Sequence, residues 1–168
     1  MELKKAESES WGTPYDIFNF CEQRYGKHDL DAAAESNWSM VSEYLTKEDD
    51  ALDPDTQWNG NNIWINPPYN SKMITKFVQR VIKEVNENNK CATMLLPAKT
   101  DQLWFQELCY NNATELIFLK GRLKFRSKDP SIKENNAGFP CIIVRFDKKE
   151  RDNKILTEFY IKHFDNFL

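Results

Sequence analysis

Two consecutive prolines, Pro67 and Pro68, separate a short apolar run from an amphipathic pattern, and this junction constrains the fold more than any other stretch of the chain. The run NIWIN ends immediately before the prolines, and apolar residues recur at helical spacing from Met73 to Val85. Proline lacks an N–H and biases the preceding residue toward extended backbone. The junction therefore predicts a strand that ends at Asn66, a rigid turn, and a helix with a wide buried face.

The other apolar segments continue this alternation of strands and helices. CATMLLP, TELIFLK and FPCIIVRF have the length and apolar content of buried strands, and DQLWFQELCYNN between the first two indicates a helix. Near the N-terminus, Thr13 is expected to cap a helix that begins at Pro14 and ends at Gly26. The segment from His28 to Ala34 is predicted to be a strand and its exit.

Two regions give weaker signals. Residues 35–60 mix aromatic residues with acids and turn formers, so we expect mostly irregular backbone with one short strand near Val41 to Leu45. The final segment ILTEFYIKHFDNFL follows the charged run DKKERDNK. It is predicted to be a terminal helix that packs on the sheet or on another subunit.

Strands that alternate with helices indicate an α/β sandwich, in which a mixed, mostly parallel sheet, parallel at its centre, carries helices on both faces. In such folds ligands bind beyond the carboxyl ends of the strands, which is where Asn66 lies. The length of 168 residues suits one domain. We expect this domain to span residues 1–168, with a flexible tail at 1–10 and a charged segment plus C-terminal helix at 147–168.

Composition excludes several classes of protein. Hydrophobic residues make up 40% and charged residues 29% of the chain, as in a soluble globular protein, and no apolar run approaches a membrane span. The polar N-terminus MELKKAESES is not a secretory signal. The widely spaced cysteines form no CxxC pair, so we expect reduced core cysteines in a cytoplasmic protein, and no metal site. They are Cys21, Cys91, Cys109 and Cys141.

A stripe of basic residues stands out against the net charge of −3. In KGRLKFRSK, cations alternate with other residues, and an extended segment would place them on one side, where they could follow a phosphate backbone. The alternative is a solvated strand face or an edge protected by charge. The five cations are Lys120, Arg122, Lys124, Arg126 and Lys128.

The turn at Asn66–Tyr69, which follows the strand NIWIN, has a chemical interpretation. The Asn66 side-chain oxygen and the Pro67 carbonyl are rigidly held acceptors, which suit the two N–H groups of an exocyclic amino group on a nucleobase. Accepting both hydrogens would localise the nitrogen lone pair and direct it at an electrophilic methyl group. Tyr69 would stack on the base, which must leave its duplex to enter the pocket. The alternative is a proline-rich turn that carries a core aromatic residue.

Taken in order, several segments resemble the phage-type DNA N-6-adenine methyltransferases, also called the Dam family. They are WGTPYD at 11–16, LDAAA at 30–34, YLTKEDDAL at 44–52, WNGNNIWINPPY at 58–69, MLLPAKTDQLWF at 94–105 and FLKGRLKF at 118–125. The resemblance implies a Rossmann-like methyltransferase fold, S-adenosylmethionine as methyl donor, and adenine in double-stranded DNA as acceptor. It also implies a phage- or prophage-encoded protein that acts in the cytoplasm of a bacterial host.

The resemblance assigns roles to residues of matching motifs. The catalytic motif matches Asn66, Pro67, Pro68 and Tyr69. The cofactor side matches residues in WGTPYD and LDAAA, where the Asp31 carboxylate would engage the methionyl amino group of the cofactor. These cofactor residues are Trp11, Thr13, Pro14, Asp31, Ala32 and Ala33.

The chain also departs from the wider methyltransferase pattern. No glycine-rich turn follows the first cofactor strand. Asp50 lies 19 residues after Asp31, at a spacing that suits a carboxylate bound to the cofactor's ribose or adenine. Family members often have glycine where Ala51 stands, and a turn that needs positive φ would tolerate alanine poorly. Glu48 and Asp49 are rival candidates, and a solvated acidic loop is the alternative.

Within the resemblance, Arg122, Lys124 and Arg126 follow the catalytic core and are expected to face DNA. The polar loop 127–138 is either a target-recognition element or a lid. Methyl transfer to an amino group needs no cysteine nucleophile and no dedicated base. The competing hypotheses are another amino-group acceptor, such as cytosine or a protein glutamine, and a non-catalytic DNA-binding protein. Both a monomer and a homodimer remain open.

Overall fold

The computed structural model describes residues 11–36, 38–127, 136–148 and 156–160. The predicted tail at 1–10, most of the loop 127–138 and most of the charged segment after residue 147 lie outside the described residues. None of the helices in the described ranges is long and apolar enough to cross a membrane.

The described elements follow the predicted alternation. The strands are β1 (Trp11–Gly12), β2 (Leu30–Asp31), β3 (Asn62–Ile65), β4 (Cys91–Pro97), β5 (Glu115–Leu119), β6 (Arg126–Ser127), β7 (Cys141–Asp147) and β8 (Leu156–Tyr160). The helices are α1 (Tyr15–Tyr25), α2 (Ser71–Asn88) and α3 (Tyr110–Asn112), and a π-helix over Trp104–Cys109 leads directly into α3. Each strand predicted from an apolar run is present.

Six strands form a mixed sheet in the order β2-β3-β4-β7-β5-β8. β2, β3 and β4 are mutually parallel, as are β5 and β8, but β7 is antiparallel to both β4 and β5. The expectation of a sheet that is parallel at its centre is therefore wrong. β1 and β6 pair antiparallel in a separate two-stranded ribbon.

Helices cover both faces of the sheet, as predicted. On one face, α2 and the π-helix bury side chains against β3, β4 and β7, including Ile74, Val81 and Trp104. On the other, α1 packs Ile17 and Phe18 against alternate residues of the same strands. The period-two alternation of strands buried on both faces produces these two apolar layers.

Two predicted element boundaries are corrected. Helix α1 begins at Tyr15 with Pro14 as its N-cap and no side-chain cap hydrogen bond, so Thr13 does not cap it. The C-terminal segment contains strand β8 parallel to β5 rather than a helix over those residues. The pattern ILTEFY is compatible with the period of a helix or of a strand. Pairing with β5 at the edge of the sheet favours the strand.

A buried polar network joins the strands at the edge of the sheet opposite the carboxyl ends of β2 and β3. Arg145 donates to Asn62 Oδ1 at 2.7 Å and to Thr93 Oγ1 at 2.9 Å, and His28 Nε2 lies 3.0 Å from the same hydroxyl. Burial, assisted by Arg145, lowers the pKa of His28 to about 4. His28 is therefore a neutral core histidine, and it packs edge-on to Trp64.

Gly60 lies in a closely packed site just before β3. The Asp29 carboxylate accepts hydrogen bonds from the backbone of Asn61 and Asn62, and a Cβ on Gly60 would lie 2.6 Å from Asp29 Oδ1 and 2.8 Å from Leu30 Cβ. We predict that Gly60→Ala lowers the free energy of unfolding by about 1–3 kcal/mol, because the packed site must shift. Chemical denaturation measures this change.

Gly138→Ala is the matched control. A Cβ at Gly138 meets nothing within 4 Å, and this glycine has no positive φ. Its free energy of unfolding should change by less than about 0.5 kcal/mol. Equal stability of the two variants would contradict the close packing described at Gly60.

Candidate active site

A cavity of about 1270 Å³ opens at the carboxyl ends of β2 and β3. The two strands are parallel, and Asp31 pairs with Trp64, so the residue that ends β2 and the turn that follows β3 lie at the same edge of the sheet. The volume exceeds the roughly 300–1,000 Å³ of a pocket for one small ligand. The cavity therefore has room for two ligands side by side.

The Asn66–Tyr69 turn is fixed at both ends. β3 ends at Ile65, and Pro67 is buried behind it. At the other end, the Asn70 side chain caps α2 by accepting a hydrogen bond from Met73 N at 2.9 Å. Both prolines of the turn line the cavity. The predicted strand, turn and helix at this junction are confirmed.

The Tyr69 hydroxyl contacts the asparagine that begins the turn. It lies 2.6 Å from Asn66 Oδ1 and 3.1 Å from the Leu95 carbonyl oxygen, and its single hydrogen donates to one of the two at a time. Burial is the main cause that raises the pKa of Tyr69 well above its usual range, so the hydroxyl keeps its proton. Phe125 and Phe139 pack edge-on to the ring at 5.9 and 5.6 Å.

Asp31 brings a buried carboxylate to the cavity. Its oxygens accept hydrogen bonds from Met40 N at 3.0 Å and Ala33 N at 3.3 Å. Burial raises the pKa of Asp31 to about 6, although these two N–H groups act in the opposite direction. Among the residues that the structure describes, no cation forms an ion pair with Asp31. The carboxylate is thus suited to a cationic group on a ligand.

The alanines after Asp31 form a turn that needs no glycine. Ala32 N donates to the Trp64 carbonyl and Ala34 N to the Leu45 carbonyl, both at 3.0 Å. Positive φ among the described non-glycine residues occurs at Asp50 and Asn89 and not in this turn. The missing glycine-rich motif therefore does not strain the backbone here.

Positive φ, which alanine at position 51 would tolerate poorly, occurs instead at Asp50. Its φ is 46°, whereas Ala51 is buried and accepts a hydrogen bond from Trp58 Nε1 at 2.9 Å. Glu48 and Asp50 both line the cavity. The third candidate, Asp49, is engaged by the backbone and hydroxyl of Thr46, each at 2.8 Å.

Arg80 on α2 supports the loop that carries these acids. Its guanidinium donates to the carbonyls of Asp53 and Thr56 at 2.9 and 2.6 Å and lies 5.3 Å from the centre of the Trp58 ring. Glu84 accepts from Arg80 Nε at 3.0 Å. These supports are not among the residues predicted from the sequence, although Glu84 lies four residues after Arg80, a spacing typical of helical ion pairs.

Most of the predicted site residues share this one cavity. Its wall includes Thr13, Asp31, Ala32, Ala33, Asp50, Asn66, Pro67, Pro68, Tyr69 and Arg126. Pro14 is buried at the start of α1, outside that wall, and only the backbone of Trp11, in β1, is described. Several wall residues were not predicted from the sequence, including Trp38, Met40, Phe125 and Phe139.

The predicted basic stripe is only partly regular. Arg122 and Lys124 are exposed while Leu123 and Phe125 are buried, so the alternation holds over these four residues. Arg126 departs from it because it is half-buried in the cavity wall. Lys128 lies outside the described residues.

The cysteines are free thiols, and Cys21, Cys109 and Cys141 are buried. Burial raises the pKa of Cys109 and of Cys141 to about 12, so neither supplies a thiolate at neutral pH. Within the described ranges, no cluster of three or more His, Cys, Asp or Glu side chains could hold a metal ion.

Comparison with known proteins identifies the class as methyltransferases that act on DNA. The family model described as "DNA N-6-adenine-methyltransferase (Dam)" matches residues 1–164. A DNA N-6-adenine-methyltransferase of Haemophilus phage HP1 (strain HP1c1) is 29% identical over 162 residues, which cover 95% of this chain and 91% of the relative. A protein of the same name from Escherichia phage T1 is 34% identical over 154 residues, with coverage of 80% of this chain and 62% of the relative.

The chain therefore belongs to the DNA N-6-adenine-methyltransferase (Dam) family. This confirms the family resemblance carried by the sequence motifs. The phage T1 relative is longer, since the match spans less than two thirds of its length.

Proposed function

We propose that this protein transfers a methyl group from S-adenosylmethionine to the exocyclic amino group of adenine in double-stranded DNA, on a Rossmann-like fold. The observation that carries the proposal is one cavity that holds both the Asn66–Tyr69 turn and the buried Asp31 carboxylate. The names of the family and of its phage relatives support adenine as the acceptor. Such an enzyme would act on DNA inside a bacterial host cell.

The described residues fit this cofactor. Asp31 offers a buried carboxylate to the ammonium of the methionine part, and a charge-assisted hydrogen bond would form there. Thr13, Ala32 and Ala33 form the neighbouring wall, and Asp50 lies where hydroxyl or amino groups of the cofactor could donate to it. When bound, the cofactor supplies an electrophilic methyl group on a sulfonium.

Asn66 and Pro67 would bind the adenine amino group. An amide oxygen has two lone pairs, so Asn66 Oδ1 can accept from the Tyr69 hydroxyl and from one amino hydrogen at the same time. The Pro67 carbonyl would accept the other hydrogen. These acceptors increase electron density on the amino nitrogen and orient it, which is the main catalytic contribution of the chain.

In the proposed reaction the N–CH3 bond would form as the S–CH3 bond of the sulfonium breaks, S-adenosylhomocysteine would leave, and no covalent enzyme intermediate would be needed. The methylated nitrogen would be positively charged and would lose its proton to solvent, so no dedicated base is required. The high pKa of the buried Cys141 thiol agrees with a mechanism that uses no cysteine nucleophile.

Arg122 and Lys124 are proposed to contact the phosphate backbone. Both are exposed, on the segment that continues into the cavity wall through Phe125. Cations there would attract DNA despite the net charge of −3. The third predicted DNA contact, Arg126, is half-buried in the cavity wall, which favours a different role for it.

Asn66→Ala tests the reaction and the site together. Purified wild type and variant are incubated with unmethylated DNA and labelled S-adenosylmethionine, and the methylated nucleoside is identified by mass spectrometry. We expect methyladenine from the wild type and a rate at least about 100-fold lower from the variant, because the acceptor for the amino group is lost. Asn61→Ala, an exposed asparagine just before β3, is the matched control and should retain the wild-type rate.

Other outcomes of this assay would change the proposal. Methylcytosine would keep the mechanism and replace the acceptor. A folded wild type that binds DNA and cofactor but gives no methylated product on several genomic DNAs would indicate a non-catalytic DNA-binding protein.

Tyr69→Phe separates the hydroxyl from the ring. The variant keeps an aromatic face for the base but loses the hydrogen bond to Asn66 Oδ1. We predict a kcat about 3–10-fold lower with little change in KM for DNA, since one neutral hydrogen bond contributes about 0.5–1.5 kcal/mol. Tyr69→Ala should lower the rate further. A Tyr69→Phe variant with wild-type kcat would show that the hydroxyl does not orient Asn66 for catalysis.

The pKa of Asp31 predicts how cofactor affinity depends on pH. With a pKa of about 6, the carboxylate is ionised at pH 7.5 and mostly protonated at pH 5, where it cannot pair with an ammonium. The Kd for S-adenosylhomocysteine, measured by calorimetry, should therefore be about tenfold higher at pH 5 than at pH 7.5. Asp31→Asn should bind weakly at both values with little pH dependence. A wild-type Kd that is constant over this range would remove Asp31 from the proposed site.

A further inference from the structure

Arg126 is engaged by several described groups of the protein. Its Nε donates to the Thr13 carbonyl at 2.6 Å, and one of its terminal nitrogens donates to Met40 Sδ at 3.3 Å. The guanidinium carbon lies 3.8 Å from the centre of the Tyr15 ring and 5.1 Å from that of Trp38. A guanidinium that lies over two aromatic rings is constrained in orientation as well as in position.

The partners of Arg126 belong to the two segments that form the cofactor side of the cavity. Thr13 is buried and lines the cavity just before α1. Met40 donates its backbone N–H to Asp31 Oδ2 at 3.0 Å. Arg126 thus connects the N-terminal segment to the loop that holds the Asp31 carboxylate.

The backbone strengthens the same connection. Gly12 in β1 pairs with Arg126 in β6. A Cβ on Gly12 would lie 2.9 Å from the Trp38 ring and 3.3 Å from the Arg126 guanidinium. The three residues are therefore packed closely enough that a change in one moves the others.

We propose that Arg126 is a positioning residue for the cofactor site and not a phosphate contact. It holds Thr13 in place and, through Met40, holds the Asp31 carboxylate in position. Arg122 and Lys124 lie on the same segment as Arg126. Contact of these two cations with DNA would therefore directly affect the position of the cavity wall on the cofactor side. This inference rests on the proposed function.

Two variants alter Arg126, and one alters its surroundings. Arg126→Met removes the charge and the hydrogen bonds, whereas Arg126→Lys keeps a cation but loses the planar fork that binds and stacks. Tyr15→Leu removes one ring at a residue that is 60% exposed, so it should fold. Lys124→Ala is the matched control, since it removes an exposed cation two residues away.

Four quantities are measured for each variant. They are the Kd for S-adenosylhomocysteine, the slope of log Kd against log salt for a short unmethylated duplex, and the kcat and KM for S-adenosylmethionine. Circular dichroism confirms that each variant is folded.

We expect Arg126→Lys and Arg126→Met to raise the Kd for S-adenosylhomocysteine and the KM about tenfold, with kcat at saturating cofactor within about twofold of wild type. Tyr15→Leu should raise both about threefold. The salt slope should stay at the wild-type value in all three. Lys124→Ala should reduce the slope by about 1 and leave the Kd for S-adenosylhomocysteine unchanged.

A salt slope that falls by about 1 in Arg126→Met, with unchanged affinity for S-adenosylhomocysteine, would overturn the inference in favour of a phosphate contact. Should Arg126→Met not fold, wild-type affinity and KM in both Arg126→Lys and Tyr15→Leu would overturn it equally. These results leave the proposed function intact. A folded wild-type protein that does not bind S-adenosylhomocysteine would instead remove the proposed function, and this inference with it.

Discussion

The parallel ladder between β2 and β3 determines where the candidate active site lies. It aligns Asp31 with Trp64, and so it sets a buried carboxylate beside the turn that carries Asn66. β2 has only two residues, but Asp31 N donates to the Glu43 carbonyl, and Leu45 N donates back to the Asp31 carbonyl. These loop bonds secure the outer edge of β2, and the bonds from Asp29 N to the Asn62 carbonyl and from Ala32 N to the Trp64 carbonyl hold its register with β3. A slip of one residue would turn the Asp31 side chain to the other face of the sheet.

Local signals predicted much of the fold, and long-range pairing accounts for the errors. The junction at Pro67 and Pro68 fixed the end of β3 and the start of α2, since proline restricts its neighbours directly. The apolar run of β7 does not indicate the direction of the strand, because a strand buried on both faces has the same pattern in either orientation. The apolar pattern of β8 likewise suits a helix as well as a strand, and its pairing with β5 makes it a strand.

The candidate site divides in the same way. Asn66, Tyr69 and Asp31 could be predicted because each belongs to a short motif beside a strand. Met40 and Trp38 could not, since they lie in a segment without periodicity and reach the cavity only through tertiary contacts. Arg126 shows the limit of pattern reasoning most clearly. Its alternation with its neighbours was correct as far as Phe125, but the aromatic rings and the Thr13 carbonyl determine where its side chain lies.

The buried Asp31 carboxylate also affects the folding equilibrium of the empty protein. Its pKa is about 6 in the folded chain, against roughly 4 in an unfolded one, so the stability linked to its proton is present below about pH 4 and is lost as the pH rises through 6. At neutral pH this lowers the free energy of unfolding by about 3 kcal/mol. A ligand ammonium would remove that strain as it binds. A ligand that pairs its ammonium with Asp31 would therefore stabilise the folded chain increasingly as its concentration rises.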